Sequence, residues 1–440
     1  MKGLLKKLVI AYLTLLAYIK LKIKFKGRII GVGGCYGKTS AVSLIQSLLS
    51  DKFNVFSTSI EGKGLNSESG IPFAILNIKP DLYSVKDWIS YLIQGTKNLF
   101  NTFKYDIVIL EMGVDKPGDM KHLTKYFRPD IGILLNSNNT HSANFKELHE
   151  TTSQSYEDLI AHENGFMFER AREVIFYNLE DPQVVAQITR FKGTKKIGFS
   201  TQSKSHILEF SPSIEGTNIK LRYKNNNVTI KHKLPLLEEY KTTFELIINI
   251  AEYFALEIQS LTKAIENFEI PPGRCSLFEG INNTYIIDSS YNSSLVPAIS
   301  ALFLLQKIAP KRKIAILGDM RELGDLAEKE HNRLALIAAK TVDVVITVGP
   351  LMKSYFADQF RLVKRENQQI FTFDTTKETL EFVLNNFLQE QDTVLIKGSQ
   401  NTLFLETIVE ALLANKKDKA KLCRRDKLYE QKRQELLKGN

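Results

Sequence analysis

Lys38 and Thr39 close a run in which four glycines, Gly31, Gly33, Gly34 and Gly37, fall within seven residues. The run follows the apolar residues Ile29 and Ile30 and leads into a helical pattern over residues 41–49. A strand, a glycine-rich turn and a helix start in that order let backbone N–H groups converge on anionic oxygens, with the positive end of the helix dipole behind them. The chemistry is that of a bound triphosphate. The Lys38 ammonium reaches the β- and γ-phosphates, and the Thr39 hydroxyl is a ligand for Mg2+. Val32 stands where the longer GxxxxGK[ST] pattern has its first glycine, but the shorter GxxGKT form is met from Gly34 through Cys35, Tyr36, Gly37 and Lys38 to Thr39.

A divalent cation beside that hydroxyl calls for an acid. Residues 105–111 form an apolar, strand-like run that ends on Glu111. In a parallel sheet such an end faces the ligand crevice, so Glu111 is expected to hold Mg2+ directly or through water. A further buried-type strand at 130–136 leads into a polar segment containing His141, and residues 61–70 form a polar, glycine-rich loop suited to touching ligand.

These side chains need a scaffold, and the chain alternates strand and helix patterns in the manner of a doubly wound α/β fold. Strands are expected near 53–56, 174–177 and 196–199, with helical cover over 71–76 and 88–100. Residues 206–232 change to period-two alternation, expected as antiparallel hairpins added at the sheet edge. Helices near 240–256 and 260–268 follow, and Pro271, Pro272 and Gly273 punctuate the chain as a domain boundary. Beyond it, strands at 285–287, 313–317, 344–348 and 393–396 alternate with helices as a second open sheet, without a GxGxxG fingerprint and so without a dinucleotide site. The expected organisation is an N-terminal amphipathic helix or leader at 1–26, a central P-loop ATP-binding domain at 27–270 with a mostly parallel sheet, a Rossmann-like α/β domain at 271–415, and a basic helical tail at 416–440.

With 440 residues, 43% hydrophobic and 25% charged, the chain can build two or three cores. Its three cysteines, Cys35, Cys275 and Cys423, are too scattered for a disulfide framework or a zinc site and point to a reducing, cytoplasmic compartment. Cys35, inside the phosphate loop, reads as a small spacer. Residues 416–440 hold ten Lys/Arg against four Asp/Glu, so +6 of the net +10 sits there. Tyr429 is the tail's one aromatic, which argues against a nucleic-acid strand as partner and for a solvated terminal helix. At the other end, Leu4, Leu8, Tyr12, Leu15 and Ile19 recur at helical spacing, but the uncharged stretch 8–19 is too short to span a bilayer. No small-residue cleavage site follows it, so no signal peptide is expected. Lys20, Lys22, Lys24 and Lys26 then alternate with Leu21, Ile23 and Phe25 as in a strand. The helix either packs on the central domain or lies peripherally on the anionic inner face of a membrane.

Several stretches together resemble the Mur ligases, most of all the branch that adds D-alanyl-D-alanine. Residues 34–40 stand where that family has a GTNGKTS-like loop. Glu111, Met112 and Gly113, with Pro117, Gly118 and Asp119, are similar to its EMG and PGD segments, and Pro272, Gly273 and Arg274 to its PGR motif. Residues 288–292 resemble the start of DDSYNANP, residues 317–324 resemble LGDMxELG, and Lys397, Gly398 and Ser399 resemble KGS. The resemblance implies an ATP- and Mg2+-dependent ligase in which a carboxylate-bearing cell-wall peptide precursor is activated as an acyl phosphate. An amino acid or dipeptide amine is then joined to it as a C-terminal domain closes over the ATPase domain. Carried over, the binding loop is Gly34, Cys35, Tyr36, Gly37, Lys38, Thr39 and Ser40. Thr39, Glu111 and His141 serve the metals, Arg274 the γ-phosphate, Asn292 the adenine and Asp288 the ribose. The 317–324 and KGS segments form the acceptor side.

The chain departs from that pattern at four places. About 30 residues precede the phosphate loop, short of the ~50 or more of a usual domain, so no counterpart is expected to the N-terminal domain that holds the uridine-diphosphate end of the family's substrate. His141 is followed by Ser142 and Ala143 rather than by His-x-Glu. Asn164 stands near the position of the family's carbamylated, metal-bridging lysine, with His162 and Glu163 beside it as substitutes. Ser289, Ser294 and Leu295 break DDSYNANP. Beside a cell-wall ligase, two readings therefore stand: a ligase acting on a non-nucleotide or membrane-associated substrate, and a catalytically impaired nucleotide-binding regulatory or assembly protein.

Overall fold

The computed structural model describes residues 2–60, 63–80, 84–203, 205–385, 387–399, 403–425 and 427–438. The glycine-rich loop expected over 61–70 thus begins on two residues outside the described set. The chain divides into two compact units. One comprises Met1–Leu208, Leu221–Val228 and Lys241–Phe268; the other comprises Glu209–Lys220, Thr229–Tyr240 and Glu269–Asn440. The long division falls after Phe268, against the boundary expected after residue 270.

The first unit is built on six strands that all run parallel. In chain order, β1 is Arg28–Gly33, β2 Val55–Ser57, β5 Ile107–Glu111, β6 Ile131–Leu134, β7 Val174–Asn178 and β8 Lys195–Phe199, while β3 (Ser59–Ile60) and β4 (Lys63–Gly64) form a separate antiparallel ribbon. The sheet order is β2-β5-β1-β6-β7-β8. β1, the strand that feeds the phosphate loop, therefore lies centrally between β5 and β6. Its near-continuous apolar composition suits a strand covered on both faces. Helix α2 (Lys38–Ser50) returns from the loop with Val42, Ile45 and Leu49 buried.

The N-terminal segment is a helix, α1 (Lys2–Lys24), as its spacing predicts, and it runs on through residues 20–24, where a strand was expected. Leu13, Ala17 and Leu21 share one core with Phe73 and Ile75 of α3 (Gly70–Ile75) and with Trp88 and Tyr91 of α4 (Val85–Asn98). The strand pattern read over residues 20–26 fails for a geometric reason. Leu21 continues the buried stripe of Leu13 and Ala17 at intervals of four, whereas Ile23 faces out; a strand would have put both on one face. Lys20 is buried, its ammonium donating to the Ile75 carbonyl at 3.1 Å and standing 5.3 Å from the Phe103 ring centroid.

Residues 207–232 fold as three antiparallel strands, β9 (Ile207–Ser213), β10 (Gly216–Tyr223) and β11 (Asn226–His232). They form their own sheet in the order β11-β10-β9 rather than extending the edge of the parallel one. Their inward alternation, as at Ile219, Leu221 and Tyr223, gives this sheet its own buried face.

The second unit carries another six-stranded sheet, made of β12 (Ser276–Gly280), β13 (Thr284–Ser289), β14 (Lys313–Gly318), β15 (Val344–Val348), β16 (Gln369–Phe373) and β17 (Thr393–Lys397). Its order is β12-β13-β17-β14-β15-β16, parallel except for the antiparallel edge strand β12. The expected Rossmann-like α/β domain is this sheet with its helices. The basic tail belongs to this unit too, and the solvated helix expected there fails at two residues. Arg424 and Arg433 are both buried against Glu406, with Arg424 Nη1 2.9 Å from its carboxylate. Burial of a guanidinium demands such a partner.

Candidate active site

The parallel register of β1 and β5 sets the site. Val32 lies opposite Glu111, so the turn leaving β1 and the acid ending β5 emerge side by side at the C-terminal edge of the sheet. Gly34 (φ 136°) and Gly37 (φ 77°) supply the left-handed backbone that bends the loop into the first turn of α2. A side chain at either position would be strained.

Glu111 is almost completely buried. Its Oε1 accepts from the Thr39 hydroxyl at 3.3 Å and from Asn66 Nδ2 at 3.0 Å, and its own N–H donates to Thr58 Oγ1 at 2.8 Å. Its Oε2 has no hydrogen-bond partner among the described residues. A buried carboxylate oxygen without a donor is costly unless a cation faces it. Thr39 and Glu111 are thus the oxygen pair a Mg2+ ion would take, as Mg2+ is held by one or two protein oxygens plus phosphates and water. Lys38 Nζ donates to the carbonyls of Gly34 at 2.6 Å and Cys35 at 3.3 Å, which keeps the ammonium over the loop.

Asn136, just past β6, locks this loop from the other side. Its Oδ1 accepts from the N–H groups of Cys35 at 2.9 Å and Tyr36 at 3.1 Å, and its Nδ2 donates to the Tyr36 carbonyl at 3.1 Å. The Cys35 thiol accepts from the Asn138 N–H at 3.2 Å, and burial pushes its pKa up, consistent with an inert spacer.

His141 meets the loop that follows β5. In a left-handed turn (φ 65°), its Nε2 lies 3.5 Å from Asp115 Oδ1. Asp119 Oδ2 accepts from the N–H groups of Asp115 and Lys116, fixing the loop that carries His141's partner. Among the described residues no group of three or more His, Cys, Asp or Glu is disposed to hold a metal. Asn164 is buried, with Nδ2 3.5 Å from Ser137 Oγ and Oδ1 unpartnered among the described residues. His162 instead meets the Phe166 ring, and Glu163 accepts from the Lys121 N–H at 3.1 Å.

The second unit carries the remaining expected residues. The Arg274 guanidinium stacks 4.1 Å from the Tyr291 ring centroid, and the Tyr291 N–H donates to the Gly273 carbonyl at 3.1 Å, binding the PGR turn to residues 288–292. Asp288 is fully buried, accepting from the Ser290 N–H and hydroxyl. Its Oδ2 has no hydrogen-bond partner among the described residues. Burial pushes its pKa up to about 6. Lys397 is also buried, which lowers its pKa, and its ammonium donates to the Asn292 carbonyl at 2.9 Å and Ser289 Oγ at 3.2 Å. The two segments expected on the acceptor side meet, with the Arg321 N–H donating to Ser399 Oγ at 3.0 Å. Asp319 turns inward to accept from the Met352 N–H at 2.7 Å.

Sequence reasoning missed Thr58, Asn66 and Asn136. Only Asn66 had a signal, its place in the polar loop.

The Mur ligase middle domain matches residues 32–241, and the Mur ligase, glutamate ligase domain matches residues 273–400. The UDP-N-acetylmuramoyl-tripeptide–D-alanyl-D-alanine ligase of Bacillus subtilis is 26% identical over 389 residues, spanning 88% of this chain and 76% of that one. The protein of the same name from Escherichia coli is 22% identical over 419 residues, spanning 92% and 81%. In fold, the chain is similar to MurF from Acinetobacter baumannii, with a TM-score of 0.74 at 18% identity over 92% of this chain and 81% of that one. It is likewise similar to MurF from Thermotoga maritima in complex with ADP, with a TM-score of 0.71 at 22% identity over 91% and 82%. A phosphate loop paired with a strand-tip acid, a second α/β unit and two matched domains in the expected order place the chain in the Mur ligase family, the ATP- and Mg2+-dependent, ADP-forming enzymes that make amide bonds.

Proposed function

We propose that this ligase joins a UDP-linked muramoyl tripeptide to D-alanyl-D-alanine in the synthesis of a peptidoglycan precursor, the reaction named for its relatives in Bacillus subtilis and Escherichia coli. The observation that carries the reading is the Thr39–Glu111 pair at the mouth of the phosphate loop, with one carboxylate oxygen unpartnered among the described residues.

A carboxylate is a poor electrophile, so the donor oxygen first bonds to the γ-phosphorus and ADP leaves. Lys38 and the N-terminus of α2 stabilise the charge that spreads over the transferring phosphoryl oxygens. Thr39 and Glu111 would hold Mg2+, which supplies further neutralisation of the β- and γ-phosphates. Asn136 keeps the loop amides in place, so little reorganisation is needed as charge moves. The acceptor amine then bonds to the acyl carbon, phosphate departs with the activated oxygen, and the amine proton passes to solvent. Segments 317–324 and 397–399 serve the acceptor side, and His141 and Arg274 act on the metals and the γ-phosphate. The protein works in the cytoplasm, with α1 in peripheral contact with the inner face of a membrane.

Purified chain incubated with ATP, Mg2+, the muramoyl tripeptide and D-alanyl-D-alanine is expected to release ADP and phosphate and to yield a product of the condensed mass. Release of AMP, or turnover that ignores both substrates, overturns the reading. Asn164 favours a second one: a neutral, buried amide where the resemblance implies a metal-bridging anion suits a protein that binds ATP without turning it over. Tight ATP binding without product from any substrate pair, with turnover restored by Asn164→Lys, would select it.

A further inference from the structure

α1 has a second face. Opposite its buried stripe, Leu8, Tyr12, Leu15, Ile19 and Ile23 recur three or four residues apart, and Leu8 is 62% and Ile23 69% exposed. α4 repeats the pattern beside it: Ile89 and Ile93 face outward, Ile93 at 65% exposure, and Phe100 follows at 74%. Two hydrogen bonds tie these stripes together, from Tyr12 Oη to Thr96 Oγ1 at 3.0 Å and from Lys24 Nζ to the Phe100 carbonyl at 2.5 Å. The result is one apolar surface drawn from two helices.

Its charges are of one sign. α1 holds six lysines and no acid in 23 residues, and Lys7 and Lys22 are exposed beside its stripe. Lys86 and Lys97 are exposed on α4, whose only acid, Asp87, is taken up in a capping box with Ser84. A second copy of the chain would bring these lysines against one another across a two-fold axis, which like charges oppose. A surface of anionic headgroups over acyl chains matches both features at once. Among the described residues no helix is long and apolar enough to cross a membrane, so the contact is in-plane.

We propose that α1 and α4 together form a docking face for an anionic lipid bilayer, with Leu8, Leu15, Ile89, Ile93 and Phe100 entering the headgroup boundary and the lysines on lipid phosphates. The proposal rests on the peripheral contact stated above and adds α4 to it as the second half of the docking face.

The test is sedimentation of the full chain with vesicles of phosphatidylcholine and phosphatidylglycerol at low salt, against phosphatidylcholine alone. Binding is expected only with the anionic vesicles. Each lysine at such a surface is worth about a fivefold gain, so Lys7→Glu with Lys97→Glu should weaken binding by about 25-fold or more. Leu15→Ser with Ile93→Ser should reduce it by at least about tenfold, since each loses a large apolar side chain from the boundary. The MgADP thermal shift, read on every variant, confirms that the fold is kept, and turnover in solution reports separately on the ligase reading. Absence of binding at low salt, binding unchanged in both double variants, or a concentration-dependent dimer abolished by the serine pair would each overturn the lipid assignment.

Discussion

The Thr39 hydroxyl donates to Glu111 Oε1 at 3.3 Å, joining the first turn of α2 to the tip of β5 across 72 residues of sequence. This contact aligns the two groups able to share a cation, and it leaves Glu111 Oε2 without a donor among the described residues. Glu111→Gln keeps the shape and removes the charge. MgADP at a hundredfold excess over its Kd should raise the parent's Tm by about 5–10 °C and that of the variant by less than half as much. An equal shift in the two proteins would detach Glu111 from the metal.

Asn136 makes three hydrogen bonds to the phosphate loop. Asn136→Ala leaves two N–H groups and a carbonyl to find other partners, at a cost of about 1–3 kcal/mol in stability. The KM for ATP should rise about tenfold with a smaller change in kcat, because the residue shapes the loop and does not meet the reacting atoms. Steady-state kinetics alongside urea unfolding would check both effects, and a kcat loss with unchanged KM would contradict the role.

Arg424 and Glu406 are an ion pair almost closed to solvent. Arg424→Met leaves the Glu406 carboxylate with only the more distant Arg433, 3.7 Å away, and should destabilise the protein by up to about 3–5 kcal/mol. Adding Glu406→Gln should recover most of that loss, since the uncompensated charge is gone. Urea titration of the single and double variants measures the difference, and a single variant as stable as the parent would show that the tail is not held by this pair.

Asp288 gives a pH signature. Burial lifts its carboxyl from the ordinary carboxylate value to about 6, so between about pH 4 and 6 the folded state holds a proton that the unfolded chain has released. Stability should therefore fall as pH rises through this window, by at most about 3 kcal/mol from this group. Asp288→Asn should flatten that slope. Unfolding curves at pH 4.5 and about pH 7 would test it, and the same pH dependence in parent and variant would assign the slope elsewhere.

The site's centre was legible because its chemistry is local. Gly34, Gly37, Lys38 and Thr39 are contiguous enough to declare a phosphate loop, and Glu111 ends an unmistakable strand. Thr58, Asn66 and Asn136 were not, because only the parallel register brings them to residues 45–101 positions away. The two open sheets could be read from alternating strand and helix patterns. The three-stranded sheet was misplaced at an edge because period-two alternation reports pairing but not the partner. Arg424 and Arg433 read as solvated charge because the buried carboxylate they share, Glu406, lies upstream of the tail, although Arg433 also pairs with Glu430 one turn before it.

Synthesis order gives the insertion of α1 another meaning. Leu13 and Ala17 share their core with residues made later, Phe73, Trp88 and Tyr91 among them, and α4, whose Gly95 lies against Leu13, closes at Asn98. At ribosomal rates of about 5–20 residues per second, the finished helix waits roughly 4–15 seconds for its neighbours to be made. During that interval both of its greasy sides are bare and its lysines are beside them, so a nascent chain of this protein carries a temporary adhesive that maturation half conceals.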